Sequence, residues 1–197
     1  MKRSLRIAVA DDEAAKRKYF QRVLPRMGHE VVSVAETGRE LVEQCRTSQP
    51  DLVITDIKMP DMDGIEAAAQ ICRDGPVPII LVSGHEEREL VERAEADCIM
   101  AYLIKPIRQA QLGPAITIAM RRFEQFRILQ KEAADLRQAL EDRKRIEQAK
   151  GILMKRAGLA EDVAFRRMQK LAREKNIKVV DIAEIILAVQ RQFKADK

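Results

Sequence analysis

The stretch LVITDIKMPDMDG, Leu52–Gly64, opens on Leu52, Val53, Ile54 and Thr55, leaves a carboxylate at Asp56, and then breaks at Met59, Pro60 and Gly64. A short apolar run bounded by turn residues predicts a buried strand with Asp56 at its carboxyl end. Ligands of open parallel sheets bind beyond the carboxyl ends of the strands, so an acid there is placed for chemistry or metal. A single Asp after a strand is more often a turn or cap residue, so the neighbours must decide.

Outward from this stretch, strands are expected over 5–10, 30–34, 51–55, 78–82 and 101–104, with helices over 14–27, 38–47, 65–72 and 86–95. Strand and helix alternate five times, which implies an α/β fold: a doubly wound parallel sheet covered on both faces. Asp11 and Asp12 close the first strand, Ser83 the fourth and Lys105 the fifth, so with Asp56 they share one edge of the sheet. Three gathered carboxylates oppose one another's ionisation, and a hard divalent cation such as Mg²⁺ relieves that conflict. Such an ion also prepares a carboxylate to attack a phosphoryl group, with the Ser83 hydroxyl and the Lys105 ammonium available to phosphoryl oxygens. A cis peptide at Lys105-Pro106 would turn the chain and aim the lysine inward. Each residue alone would read as a cap or a solvated loop residue; their joint occurrence at four strand ends favours a site.

These residues resemble the receiver domain of two-component response regulators over about 1–120: Asp11-Asp12, Asp56 within DIKMPDMDG, Ser83, Lys105-Pro106 and Tyr102 three before the lysine. The resemblance implies a flavodoxin-like (βα)5 fold, with Asp56 accepting phosphate from a sensor histidine kinase. It also implies that Asp11, Asp12, Asp56 and the Lys58 backbone carbonyl hold Mg²⁺. Ser83, Lys105 and Tyr102 would bind the phosphoryl group and couple it to the face of the fourth helix and fifth strand. Gly84 stands where the family often has alanine. His85 could influence phosphoaspartate hydrolysis or be a surface loop residue.

After Pro106 the chain reads as helix to its end, with Gly113-Pro114 predicting a kink or a late helix start. Phe126, Leu129, Ala133, Leu136 and Leu140 follow a heptad spacing, which either packs on this chain or forms a short coiled coil with a second copy. Segments 143–157, 161–174 and 178–193 carry the apolar positions of an all-α three-helix bundle, including Leu171, Ile185 and Val189. The expected organisation is 1–120, a helical linker over 121–142, and a helical domain over 143–197.

Charge separates these parts. Residues 1–142 hold 21 Lys and Arg against 24 Asp and Glu, whereas residues 143–197 hold 15 against 7. A basic tail suits a polyanion, although a charge run is usually a solvated face. With Phe165 and Phe193 the only aromatics there, a stacking platform for single strands is not indicated. Arg145–Asn176 and the VVDIAEIIL that follows are similar to the ANTAR domain, an RNA-binding output module of transcription antiterminators. The likeness rests on Ala149–Met154, Ala164-Phe165, Ala172 and Ile182-Ala183, over about 135–192. It implies that a dimer recognises paired RNA hairpins in nascent mRNA, with Arg143, Lys144, Lys150, Lys155 and Arg173 as the RNA-facing residues.

Two other readings stand beside this one. The first is a response regulator with a DNA-binding helical output. The second is an Mg²⁺-dependent phosphatase, for which no acid stands two residues after Asp56 to donate a proton; the chain is therefore read as a non-enzyme. The N-terminus has no signal-peptide core, and no apolar run reaches membrane-spanning length, so a cytoplasmic, membrane-free protein is expected. Cys45, Cys72 and Cys98 are widely spaced and odd in number, which predicts buried thiols with no disulfide.

Overall fold

The computed structural model describes residues 4–84 and 98–195, and side chains as far as residue 191. Strands β1 (Arg6–Ala10), β2 (Glu30–Ala35), β3 (Leu52–Asp56), β4 (Ile79–Ser83) and β5 (Ile99–Ile104) alternate with helices α1 (Ala14–Arg26), α2 (Gly38–Ser48) and α3 (Gly64–Asp74). The helix expected over 86–95 and His85 fall outside the described residues. Helices α4 (Gln109–Ala157), α5 (Glu161–Lys175) and α6 (Val179–Ala195) follow. The chain divides into two compact units, 1–127 and 128–197.

In the first unit all strand pairs are parallel, in the order β2-β1-β3-β4-β5. The doubly covered sheet follows from the strand sequences, because side chains alternate between faces while both faces are buried. Ile7, Val9, Leu52, Ile54, Ile80 and Val82 pack with Phe20 and Leu24 of α1 and with Leu112, Ile116 and Phe123 of α4. Ala8, Ala10, Val53, Ile79 and Leu81 face the other way, against Leu41 and Val42 of α2 and Ala67, Ala68 and Ile71 of α3. The Thr37 side chain accepts the Glu40 N–H at the start of α2, and Asp63 accepts those of Ile65 and Glu66 at the start of α3.

The cysteine pairing and the start of the long helix differ from expectation. Cys72 of α3 and Cys98, just before β5, form a disulfide with Cα atoms 5.9 Å apart. Sequence spacing hides this pair because the two residues, 26 apart, are brought together only when the chain folds back through β4. Cys45 remains a buried free thiol, its pKa pushed up to about 12 by burial. The late helix start is also absent, since α4 begins at Gln109 and takes Pro114 inside it. Burial of Leu112, Ala115 and Ile116 holds those first turns in place, and the Gln111 side chain accepts the Arg108 N–H.

In the second unit the end of α4 joins α5 and α6 around Ala149, Met168, Ala172, Ile182 and Ala183. Leu171, Ile185 and Val189, expected in that core, are exposed. Met168 and Ile182 fill the interior together with Ala149, Ala172 and Ala183, with Ile146, Leu153 and Val179 packed against them. Ile128, Leu129, Leu136 and Leu140 are also exposed, at 50–68% of their surface. Of the heptad seam, Leu129, Leu136 and Leu140 are therefore not covered by the described residues of this chain, whereas Phe126 packs against the receiver core.

Candidate functional site

Strand register builds the site. Ala10 pairs with Thr55, so Asp11 emerges beside Asp56. Asp56 in turn pairs with Val82, and Ser83 with Ile104, while the Lys105 N–H donates to the Ser83 carbonyl at 2.9 Å. Asp11, Asp12, Asp56, Ser83 and Lys105 thus meet at one edge, as their strand-end positions predict. Carboxylate oxygens of Asp11, Asp12 and Asp56 all lie within 4.8 Å of one another.

The two Asp56 oxygens are held differently. Oδ1 accepts the Ile57 N–H at 2.8 Å, and Oδ2 accepts from Lys105 Nζ at 2.5 Å. The Lys105-Pro106 peptide is cis. Burial raises the Asp56 carboxyl above its ordinary pKa, and Lys105 offsets part of that rise. Asp11 is raised from 3.8 to about 6, mainly by burial and further by the negative Asp56.

Asp11 Oδ1 accepts the Glu13 N–H at 2.9 Å, but Oδ2 is buried with no hydrogen-bond partner. An orphaned carboxylate oxygen beside two further carboxylates is what a hard, oxygen-seeking cation would satisfy, so the donor set fits Mg²⁺. Lys58 lies two residues past Asp56 on the exposed β3–α3 connection. Ser83 is buried, while Tyr102 on β5 is 39% exposed.

Close backbone approach shapes that connection. A Cβ on Gly64 would stand 1.9 Å from the Asp56 carbonyl oxygen, and one on Gly38 would stand 2.4 Å from that of Met62. Only glycine lets α3 begin directly under Asp56 and α2 begin against the following loop.

Residues 7–117 match the family described as response regulator receiver domain, and residues 134–187 match the ANTAR domain. The "Transcriptional regulatory protein PdtaR" of Mycobacterium tuberculosis is 40% identical over 182 residues, spanning 92% of this chain and 89% of that protein. The chain is a response regulator with an ANTAR output domain. The receiver of a "Protein-glutamate methylesterase/protein-glutamine glutaminase 2" from Carboxydothermus hydrogenoformans is 37% identical over 105 residues, but this chain covers only 30% of that protein. A response regulator receiver domain from Clostridium thermocellum superposes with a TM-score of 0.56 at 28% identity, covering 61% of this chain and 98% of that one. The five-stranded unit is accordingly a flavodoxin-like receiver fold.

Two receiver residues escaped the sequence reading. Arg17 Nη1 donates to the carbonyls of Asp11 and Asp12, both at 2.9 Å, and its other amino group pairs with Glu36. Lys16 Nζ pairs with Glu13 at 2.6 Å and lies 4.0 Å from Asp11 Oδ1. Their signal was a basic pair, Lys16-Arg17, five residues after the acidic one.

On the ANTAR side, Arg143, Lys144, Lys155 and Arg173 are exposed. Lys150 is placed differently. It is only 8% exposed, pairs with Glu147 at 2.9 Å and Glu161 at 2.8 Å, and lies 5.8 Å from the Phe165 ring centroid. Its ammonium is engaged within the helical unit by α4 and α5. No described helix is long and apolar enough to cross a membrane.

Proposed function

We propose that this response regulator is a cytoplasmic, phosphorylation-dependent RNA-binding antiterminator. The observation that carries the input half is the set of three carboxylates within 4.8 Å, with the Lys105 ammonium on Asp56. Asp56 is the phosphoacceptor and a sensor histidine kinase the donor. One Asp56 oxygen forms a bond to phosphorus as the phosphorus–nitrogen bond of the kinase's phosphohistidine breaks. The departing imidazole nitrogen keeps the electron pair and takes up a proton. Asp11, Asp12, Asp56 and the Lys58 carbonyl would hold Mg²⁺, which when bound neutralises charge on the carboxylate and on the phosphoryl oxygens.

Lys105 then transfers its ion pair from the carboxylate to the new phosphoryl oxygens, and the Ser83 hydroxyl donates to another. Tyr102, on the same strand as Lys105 approaches from, registers the change at the surface. The working division remains receiver 1–120, linker 121–142 and output 143–197.

In the output half, the basic excess and the ANTAR match support binding of RNA hairpins in nascent mRNA. Arg143, Lys144, Lys155 and Arg173 contact phosphates from their exposed positions, while Lys150 braces the helices. The exposed seam of Leu129, Leu136 and Leu140 pairs two copies, and phosphorylation shifts the balance of monomer and dimer.

The test is binding of a two-hairpin RNA by wild type and Asp56→Asn, each with and without a small phosphodonor and Mg²⁺. Tightening by the phosphodonor in wild type alone is expected. Equal binding in all four cases, or stronger binding to duplex DNA of the same length, would sink the reading.

A further inference from the structure

Lys16 is the third residue of α1 and 27% exposed at its side chain, yet its ammonium is turned toward the acidic pocket instead of into solvent. It reaches Glu13 Oε1 at 2.6 Å and stops 4.0 Å from Asp11 Oδ1. The shorter contact is an i,i+3 pair with an exposed partner, a kind worth little to stability. Nor does Lys16 fix the orientation of Asp11, because the Glu13 N–H already holds Oδ1 at 2.9 Å. At 4.0 Å the lysine contributes charge without a hydrogen bond.

That charge falls on the oxygens a cation would need. The pocket holds Asp11, Asp12 and Asp56, with Glu13 at its rim, and the ammonium groups of Lys105, just past β5, and of Lys16, from α1, approach it. Lys105 is committed to Asp56. Asp11 has the Lys16 ammonium 4.0 Å away and feels Lys105 more weakly, and its Oδ2 remains without a hydrogen bond.

We propose that Lys16 is a built-in competitor of the divalent cation: it neutralises Asp11 in the metal-free pocket and weakens Mg²⁺ binding there. The inference rests on the reading of Asp11, Asp12 and Asp56 as the Mg²⁺ site. A monovalent counter-ion on a flexible stem compensates the buried acids cheaply and can swing toward Glu13 and solvent when a divalent ion arrives. The site therefore tolerates being empty, and half-occupancy needs a higher Mg²⁺ concentration than in a pocket lacking the lysine.

Calorimetric titration of the full chain with Mg²⁺, without phosphodonor, tests this in wild type, Lys16→Gln, Lys16→Arg and Asp56→Asn. Lys16→Gln is expected to bind about 3- to 10-fold more tightly than wild type, a range reduced for partial solvent screening. Lys16→Arg keeps the charge and should stay close to wild type, and the Lys16→Gln advantage should shrink at high salt. Equal or weaker binding by Lys16→Gln, with Asp56→Asn losing affinity, overturns the competitor while leaving the metal site standing. Binding that Asp56→Asn leaves unchanged overturns the metal site itself, and the competitor with it.

Discussion

Lys105 Nζ lies 2.5 Å from Asp56 Oδ2 although 49 residues separate them, and Asp56 is only 2% exposed at its side chain. A buried carboxylate is costly unless paired, so each group specifies the position of the other. Lys105→Met should therefore leave Asp56 without its cation. Labelling of Asp56 by a small phosphodonor is expected to fall on the order of 10²-fold, the range seen when one charge-stabilising donor is removed. Labelling rates at saturating Mg²⁺ check this, and an unchanged rate would refute the role.

The Asp11 carboxyl, lifted from 3.8 to about 6, binds its proton more tightly in the folded chain than in the unfolded one. Its contribution to stability is thus lost as pH rises from 3.8 through 6, and the full penalty applies above that. Melting in a chelator should show Asp11→Asn gaining over wild type, by more at pH 7 than at pH 5. Each kcal/mol recovered corresponds to about 2–4 °C for a chain of this size. A gain independent of pH would contradict the assignment.

Gly64→Ala places a methyl where the Asp56 carbonyl oxygen already stands, 1.9 Å from the ideal Cβ. The backbone of β3 or the start of α3 must move. A loss of about 2–4 kcal/mol is expected from the displaced main chain, read by chemical denaturation, together with loss of phosphodonor labelling. Gly75→Ala, where a Cβ meets nothing within 4 Å, serves as the control.

Basic residues of the output domain should separate into two groups. Lys144→Ala and Arg173→Ala should each flatten the salt dependence of RNA binding by about one unit of slope, with little change in melting. Lys150→Ala should do the reverse. It breaks the pairs to Glu147 and Glu161 and the approach to Phe165, so melting should occur at a lower temperature while the salt slope stays as in wild type.

Leu136→Glu and Leu140→Glu alter side chains that are 68% and 60% exposed. Secondary structure measured by circular dichroism should be unchanged, while sedimentation should show any dimer dissociating at a concentration at least 10-fold higher. Dimers of unaltered affinity would remove the seam from the interface.

The phosphoacceptor constellation was legible because each member ends a strand, and strand ends can be read from apolar runs and turn residues. Arg17 and Lys16 were not, because their reach depends on where α1 begins and which way its first turn faces. The Cys72–Cys98 pair depends on how α3 and β5 meet after a crossover, which spacing does not encode. In the output domain, periodicity pointed to Leu171, Ile185 and Val189. Ala149, Met168 and Ile182 of the same periodic set are buried, but Leu171, Ile185 and Val189 are not, because a one-residue shift moves a helical stripe by about 100°.

Helix α4 supplies Leu112, Ala115, Ile116, Ala119 and Phe123 to the receiver's interior before it continues past residue 127. The last strand is therefore not where this receiver finishes. A fragment ending at residue 108 would strip one wall from the sheet and expose Ile7, Leu52 and Ile80, so excision or transplantation of the receiver must cut inside a helix, beyond Phe123.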